Sequence, residues 1–517
     1  MKRFLKDNPP ASAMLKALRA SWIYILSGLG VLILFSLRFF NLTILPVFAD
    51  EAIYIRWAQI MKAEETLRFL PLSDGKEPLF MWVTMGLQKF VSDPLLAGRL
   101  VSIFSGLGTL FGVSVLAFLL FKNKKAALIA GLLYAVSPFV FFFDRMALVD
   151  SMLTMFGVWT FIFSYLAFTK ERLDFAILAG FALGGAWLTK SPALFFALML
   201  PTLWIFIKSP KRLIKVVPLT LVTIIIGYGM FSILHLGPNF ELIARRNLDY
   251  VYPISHFLTT PLDPLKPWLL QSWQWLVMMG PWSLLILGLS GYIFNYKKKW
   301  KELLILSIWF FGPIFVESEF AKVLTARYIL FTIPFFIITA SSAFLENRKN
   351  IMKILAVLLA LFIVQSLIFD YNLITNPTKA NLPRSERSGY LEEWTAGQGI
   401  SEVAKYIQNY QFQNPGKKII VGTEGYFGTL PDGLEAYLNS DKQITIIGVG
   451  LNFSDVPAPL LDSQISGNST FLVINSDRFK GDANKEHLRL IAEYPKAIRP
   501  DGTHQSLLFF ELPLKSN

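Results

Sequence analysis

Long apolar runs alternate with short basic clusters over the first three-quarters of this chain. The first run extends from Trp22 to about Phe40, and others fall near 97–121, 126–142, 151–168, 174–188, 192–207, 214–236, 276–294, 302–317, 327–345 and 351–370. Each is near the length a helix needs to cross a bilayer, about 20 residues. The pattern predicts about eleven transmembrane helices. Five basic clusters punctuate it: Lys122/Lys124/Lys125, Lys170/Arg172, Lys208/Lys211/Arg212/Lys215, Lys297–Lys299/Lys301 and Arg348/Lys349/Lys353. Every one follows an even-numbered run, on the side of the basic head formed by Lys2, Arg3, Lys6, Lys16 and Arg19. Positive charge marks the cytoplasmic side, so the N-terminus is expected inside. An odd number of spans then puts the C-terminal part outside. No small-residue cleavage site follows the first run, which is therefore read as an anchoring span.

The polar interruptions predict the rest of the architecture. Residues 44–95 form a first outer loop. Within it, Phe48-Ala-Asp-Glu-Ala-Ile-Tyr-Ile-Arg-Trp57 opens a helix whose apolar positions Ile53, Trp57, Ile60 and Met61 share one face. It is too polar to cross a bilayer and is expected flat in the membrane interface. Leu79–Phe90 is too short to span and is expected there as well. Only about 35 residues separate Arg172 from Lys208, both expected inside, so two short spans must turn at Leu188-Thr-Lys-Ser-Pro192. Residues 237–275, rich in Trp, Tyr and Pro, form a second outer loop suited to interface anchoring or to lining a lipid or acceptor groove. The fold class that results is an α-helical polytopic membrane protein, with a membrane domain over 1–372 and a small extracytoplasmic α/β domain over 373–517. In the latter, Lys417–Thr423, Gln443–Val449, Ser469–Ser476 and His504–Leu512 read as strands, and Leu430–Leu438 and Lys485–Tyr494 as amphipathic helices. The Gly-rich stretch Gly422–Gly433 reads as a strand-to-helix connection, with acceptor contact as the alternative.

Composition narrows the function. Hydrophobic residues make up 54% of the chain and charged residues 16%, well under the quarter typical of soluble domains. There is no Cys, which excludes disulfides and thiolate metal sites, and the four His are scattered. The net charge is +13, yet from Leu373 onward fourteen basic residues face sixteen acidic ones, which leaves +15 before it. That excess belongs to orienting loops rather than to a nucleic-acid-binding surface.

Charges near the outer rim of the bilayer are costly, so they need an explanation. Asp50, Glu51 and Lys76 lie in the first outer loop, Arg145 and Asp150 between the third and fourth spans, Lys190 in the short turn, and Arg327 at the outer end of a span. Each has a structural reading: a snorkelling Arg, an ion-pair cluster of Asp144, Arg145 and Asp150, or an acidic pair at a helix start. Taken together, cations around an acidic pair suit transfer from an anionic lipid carrier. The cations bind a departing phosphate, and a carboxylate takes the proton of an acceptor hydroxyl. The acceptor attacks from the face opposite the phosphate and inverts the anomeric centre. Two other classes compete with an enzyme: a flippase or transporter of lipid-linked sugars, which would show internal repeats and mid-membrane charges, and a non-catalytic scaffold.

The stretches Asp50-Glu51-Ala-x-Tyr54, Lys76-Glu-Pro-Leu79, Arg145-x4-Asp150, Leu188-Thr-Lys-Ser-Pro192 and Arg327-Tyr328, in this order, resemble those of GT-C membrane glycosyltransferases, in particular the protein O-mannosyltransferase and aminoarabinose-lipid A transferase group. The resemblance spans about residues 20–345. It implies a polyprenyl-phosphate sugar donor, Asp50 as base, and Glu51 orienting it or the acceptor. Lys76, Arg145, Lys190 and Arg327 would hold the phosphate, with Asp150 and Tyr54 in support. It implies no cofactor and no nucleotide sugar at the transfer step, and no metal site is read. The acceptor class (protein, lipid or glycan) is left open, and the setting it implies is a prokaryotic cytoplasmic membrane. Two departures stand out: Glu77 where the family has Pro, and Ser191 where it has Gly. Glu77 adds a negative charge beside the expected phosphate site. The Trp-Trp-Asp signature of oligosaccharyltransferases is missing.

Overall fold

The computed structural model describes residues 11–439 and 441–514, with side chains from residue 22. Lys2, Arg3 and Lys6 of the basic head lie outside the described residues, as do the side chains of Lys16 and Arg19. Each expected span position holds a helix or a helix pair. By length and hydropathy, seven helices among the described residues qualify as membrane-crossing, nine if two bent pairs count as one span each. The remaining two positions hold shorter apolar helices, Leu173–Trp187 and the Ser191–Phe206 segment. The chain is thus an integral membrane protein whose span count depends on how broken and short helices are treated. The bent pairs have clear causes. Lys124–Val136 and Pro138–Asp144 meet at 58° where Pro138 removes a backbone donor, and Leu265–Met279 and Trp282–Asn295 meet at 104° across Gly280-Pro281.

We label α1 (Ala11–Ser36), α2 (Ala49–Ala63), α3 (Leu79–Leu87), α4 (Pro94–Phe121), α5 (Lys124–Val136), α6 (Pro138–Asp144), α7 (Asp150–Lys170) and α8 (Leu173–Trp187). Helix α2 is buried on more of its circumference than its apolar face requires. Ile53, Trp57 and Met61 are buried as their spacing predicts, but so are Ala52, Tyr54, Ile55 and Ala58. The polar face is covered because the C-terminal domain docks on it. Arg56 pairs with Glu435 at 2.6 Å, and Gln59 donates to the carbonyl of Ala436 at 2.7 Å. The helix is a layer between two domains.

The C-terminal domain holds a five-stranded sheet of order β2-β1-β3-β5-β4. Its strands are β1 (Ile419–Thr423), β2 (Ile444–Gly448), β3 (Ser469–Asn475), β4 (Arg489–Pro495) and β5 (Ser506–Leu512). The first three are parallel; β5 runs antiparallel to β3 and to β4. Fully buried β1 and β3 carry continuous apolar runs, as central strands do. The expected helix over Lys485–Tyr494 is not formed: Arg489–Pro495 is the edge strand β4. Its apolar positions fit either period over so short a run, and pairing with β5 decides.

Candidate active site

Two adjacent acidic residues start α2, and helical geometry sends them in different directions. Successive side chains on a helix are about 100° apart, so Asp50 and Glu51 cannot face the same partner. Glu51 points into protein. It accepts from Arg99 Nε at 2.9 Å and Nη2 at 2.8 Å, from the amide of Phe48 at 3.0 Å and from the amide of Ala147 at 2.5 Å. Both Glu51 and Arg99 are fully buried. Arg99 spends its other donors on the carbonyls of Leu42, Leu45 and Pro46. Glu51 thus caps α2 and ties it to α4 and to the segment between α6 and α7, and its hydrogen bonds all go to groups within the protein.

Asp50 faces a group of cations and stays partly exposed. Its Oδ2 accepts from Arg327 Nη2 at 2.5 Å, and its Oδ1 lies 3.8 Å from Lys76 Nζ. The side chains of Asp50, Lys76 and Lys190 are each about a fifth exposed. Burial raises the Asp50 carboxyl, but the charges of Arg327, Lys76 and Lys190 outweigh it and hold the group at about 2. Asp50 is therefore ionised and clamped. Lys190 lies on the Leu188–Pro192 turn, pairs with Asp150 Oδ1 at 2.7 Å, and sits 4.0 Å from the centre of the Tyr328 ring. Asp150 opens α7. Lys76 lies over the rings of Tyr54, at 5.1 Å, and Trp57, at 5.7 Å. Asp50, Lys76, Lys190, Arg327, Asp150 and Tyr54 therefore share one neighbourhood, drawn from five separated stretches of chain.

Arg145 does not join them. It is fully buried and donates to the carbonyls of Arg38 (2.6 Å), Phe40 (2.8 Å) and Asn41 (3.0 Å). Its guanidinium ties down the turn after α1. The ion-pair cluster of Asp144, Arg145 and Asp150 does not form either. Asp144 pairs with Arg38 at 3.0 Å, and Asp150 pairs with Lys190.

The two departures from the family pattern meet each other. Ser191 Oγ donates to Glu77 Oε1 at 2.7 Å, and the amide of Leu79 donates to the carbonyl of Leu188 at 3.0 Å. Together these bonds fasten the first outer loop to the turn that carries Lys190. Burial, partly offset by Ser191 and the nearby lysines, pushes the Glu77 carboxyl up to about 7. Near neutral pH it is therefore partly uncharged and takes little from the cationic field around it. Gly75 lets this loop pass close to the second outer loop. It has φ +64°, and a Cβ there would lie 2.5 Å from the carbonyl oxygen of Leu242.

Several aromatic neighbours complete the surroundings of Arg327. Phe48 and Tyr328 lie against the Arg327 guanidinium at 5.6 and 5.5 Å, and Tyr390, from the C-terminal segment, packs on Phe48 at 4.4 Å. Tyr390 comes from a part of the chain about 340 residues away from Asp50, so only the fold shows it. In the second outer loop, Trp275 is buried and donates to Ser385 Oγ at 3.1 Å, and Trp268 donates to the carbonyl of Ala321 at 2.8 Å. These two rings serve packing within the protein. Among the described residues no group of three or more His, Asp or Glu is placed to hold a metal ion.

Residues 71–236 match the family model described as dolichyl-phosphate-mannose-protein mannosyltransferase, the stretch that carries Lys76, Asp150 and Lys190. No curated protein sequence matches the chain. Among solved structures, the chain is similar to apo ArnT from Cupriavidus metallidurans, with a TM-score of 0.58 and 14% identity over 95% of this chain and 98% of that one. It is similar to the same protein bound to undecaprenyl phosphate, with a TM-score of 0.56 and 16% identity over the same shares. It also resembles the archaeal oligosaccharyltransferase AglB from Archaeoglobus fulgidus, in complex with an inhibitory peptide and a dolichol-phosphate, with a TM-score of 0.52 and 12% identity over 95% of this chain and 74% of that one. Family model and fold agree with the resemblance read from the motifs: residues 71–236 are similar to the protein-mannosyltransferase family, and the chain as a whole has the fold shared by ArnT and AglB.

Proposed function

We propose that this protein moves a sugar from a polyprenyl-phosphate donor to an acceptor hydroxyl at the outer face of the membrane, with inversion at the anomeric carbon. The observation that carries the reading is Asp50, a partly exposed carboxylate ringed by Arg327, Lys76 and Lys190. ArnT binding undecaprenyl phosphate and AglB binding dolichol-phosphate are in keeping with a lipid-phosphate ligand for this fold.

The steps balance simply. The acceptor oxygen bonds to the anomeric carbon while the bond from that carbon to the phosphate oxygen breaks. The acceptor proton passes to the Asp50 carboxylate, and the lipid phosphate leaves with the bonding electrons, its charge met by Lys190 and Arg327. At about 2, Asp50 is a poor base while Arg327 holds it. A donor phosphate competes for the same cations, and each one it withdraws lets the carboxyl rise toward the ordinary range. Donor binding therefore arms the base, and a donor-free enzyme holds it disarmed. Glu77 and Ser191 position Lys190 relative to Lys76.

The test is transfer of radiolabelled sugar from a polyprenyl-phosphate donor in reconstituted vesicles. Asp50→Asn should abolish transfer and leave donor binding intact. Near-normal turnover by that variant would remove Asp50 from the chemistry, and label crossing the bilayer without transfer would replace the reading with a transporter.

A further inference from the structure

The Gly-rich stretch between β1 and the helix Thr429–Leu438 does more than connect them. It is pinned from several sides. Glu424 accepts from the amide and the Nδ2 of Asn475, both at 2.7 Å, and pairs with Arg478 at 3.2 Å. The amide of Gly425 donates to the carbonyl of Gly450 at 2.6 Å, and that of Gly428 to Asp432 Oδ2 at 2.6 Å. Gly425 and Gly428 have φ +73° and +110°, so the backbone takes a course that side chains resist. Yet this fixed loop holds its large rings out: Tyr426 is 78% exposed and Phe427 50%. Trp394, 41% exposed, lies 4.0 Å from where a Cβ of Gly428 would be. Rigid backbone under displayed aromatic rings is the arrangement of a recognition surface rather than of a loop tip.

The rings also lead to the site. The Phe427 ring lies 6.0 Å from that of Trp57 on α2, Lys76 lies over Trp57 at 5.7 Å, and Lys76 is 3.8 Å from Asp50. The exposed rings are thus linked to the proposed active site through packed side chains, Trp57 itself being buried. Its nearby cations are paired: Arg478, 4.8 Å over the Trp394 ring, with Glu424, and Arg56, next to Trp57 on α2, with Glu435. An anionic headgroup would need an unpaired cation here. Exposed rings with internally neutralised charges suit the apolar faces of a sugar ring, which stack on aromatic side chains, with the Tyr426 hydroxyl left to meet a sugar hydroxyl.

We propose that Trp394, Tyr426 and Phe427 form an acceptor subsite for a neutral saccharide, which delivers a sugar hydroxyl to Asp50. The subsite rests on the transfer reading for its purpose, but its binding is separable from transfer. The probes are mannohexaose, chitohexaose and cellohexaose, compared with a Ser/Thr peptide and a phosphorylated glycolipid. They are added to the full chain in nanodiscs carrying Asp50→Asn, and binding is followed by saturation-transfer NMR. At least one hexasaccharide should bind. Tyr426→Ala with Phe427→Ala should weaken it at least tenfold, while Trp394→Phe retains it. Both rings changed are exposed, so the variant keeps its fold, checked by unchanged polyprenyl-phosphate binding. Patch-dependent binding of only the peptide or only the phosphorylated glycolipid would overturn the saccharide assignment, and saccharide binding indifferent to the rings, or none at all, would overturn the subsite. Transfer activity in the Asp50→Asn protein would sink the catalytic reading and leave the subsite standing.

Discussion

Two neighbouring carboxylates on one helix should give opposite phenotypes. Glu51→Gln is nearly isosteric, so it leaves no cavity, but it removes the charge facing Arg99. Glu51 accepts four hydrogen bonds, and its pair with Arg99 has no exposure on either side. Removing one partner of such a pair strands the other charge and costs about 3–5 kcal/mol. The amide that replaces one oxygen also turns an acceptor into a donor against the Arg99 guanidinium or a backbone amide. Asp50→Asn is milder. The Asp50 carboxyl sits at about 2 instead of 3.8, a difference worth about 2 kcal/mol of stability, fully present above pH 3.8 and lost as pH falls toward 2. In denaturant titrations of the detergent-solubilised protein at neutral pH, Glu51→Gln should therefore lose more stability than Asp50→Asn. The double variant Glu51→Leu/Arg99→Met should recover part of the loss, since an apolar pair of similar volume often replaces a buried ion pair at little cost. Transfer should show the reverse: abolished in Asp50→Asn, and surviving in whatever fraction of Glu51→Gln stays folded. A Glu51→Gln protein that is as stable as the parent but inactive would refute the assignment of Glu51 to structure and return it to the chemistry.

Other outcomes follow from the same geometry. Lys190→Ala should weaken binding of the polyprenyl-phosphate donor at least tenfold, whereas Arg145→Ala should lower stability and leave the donor affinity of the folded fraction unchanged, because Arg145 spends its donors on backbone carbonyls; equal loss of donor affinity in both would contradict the separation. Glu77 is buried with its carboxyl raised from 4.5 to about 7, so its contribution to stability is complete below pH 4.5 and is lost as pH rises through 7, a change of about 3 kcal/mol. Glu77→Gln should flatten that part of the stability–pH curve, and a curve of unchanged slope would place the titration elsewhere. Gly75→Ala should lower transfer by displacing Lys76, because its Cβ would meet the carbonyl of Leu242; unchanged donor affinity and turnover would show that the loop yields without moving the lysine.

Much of the architecture was legible from one periodicity and one asymmetry. Apolar runs of near-constant length located the helices, because a bilayer sets that length. The basic clusters, all following even-numbered runs, assigned the sites bearing Asp50, Lys76, Lys190 and Arg327 to one side. The short distance from Arg172 to Lys208 forced the turn that exposes Lys190. The roles of single charges were not legible in this way. Sharing one side of the bundle does not say whether an arginine meets a carboxylate or a backbone carbonyl, and Arg145 and Arg327 look alike in sequence. One is spent on three backbone oxygens and the other holds Asp50. The split between Asp50 and Glu51 also waits on which neighbours stand 100° apart around α2.

Sequence by itself determined what is local or averaged over many residues: a membrane-embedded helical bundle, its orientation signal, a small α/β domain after it, and an ordered set of charges that a lipid-facing protein retains only for a reason. Tertiary structure alone decided the pairings. It set Glu77 against Ser191, laid the C-terminal domain over α2, and ran aromatic rings from Phe427 through Trp57 toward Asp50. Those contacts join residues separated by a hundred positions or more. Their energy depends on distances of a few ångströms that no local pattern encodes, because each is fixed by how the whole chain closes on itself.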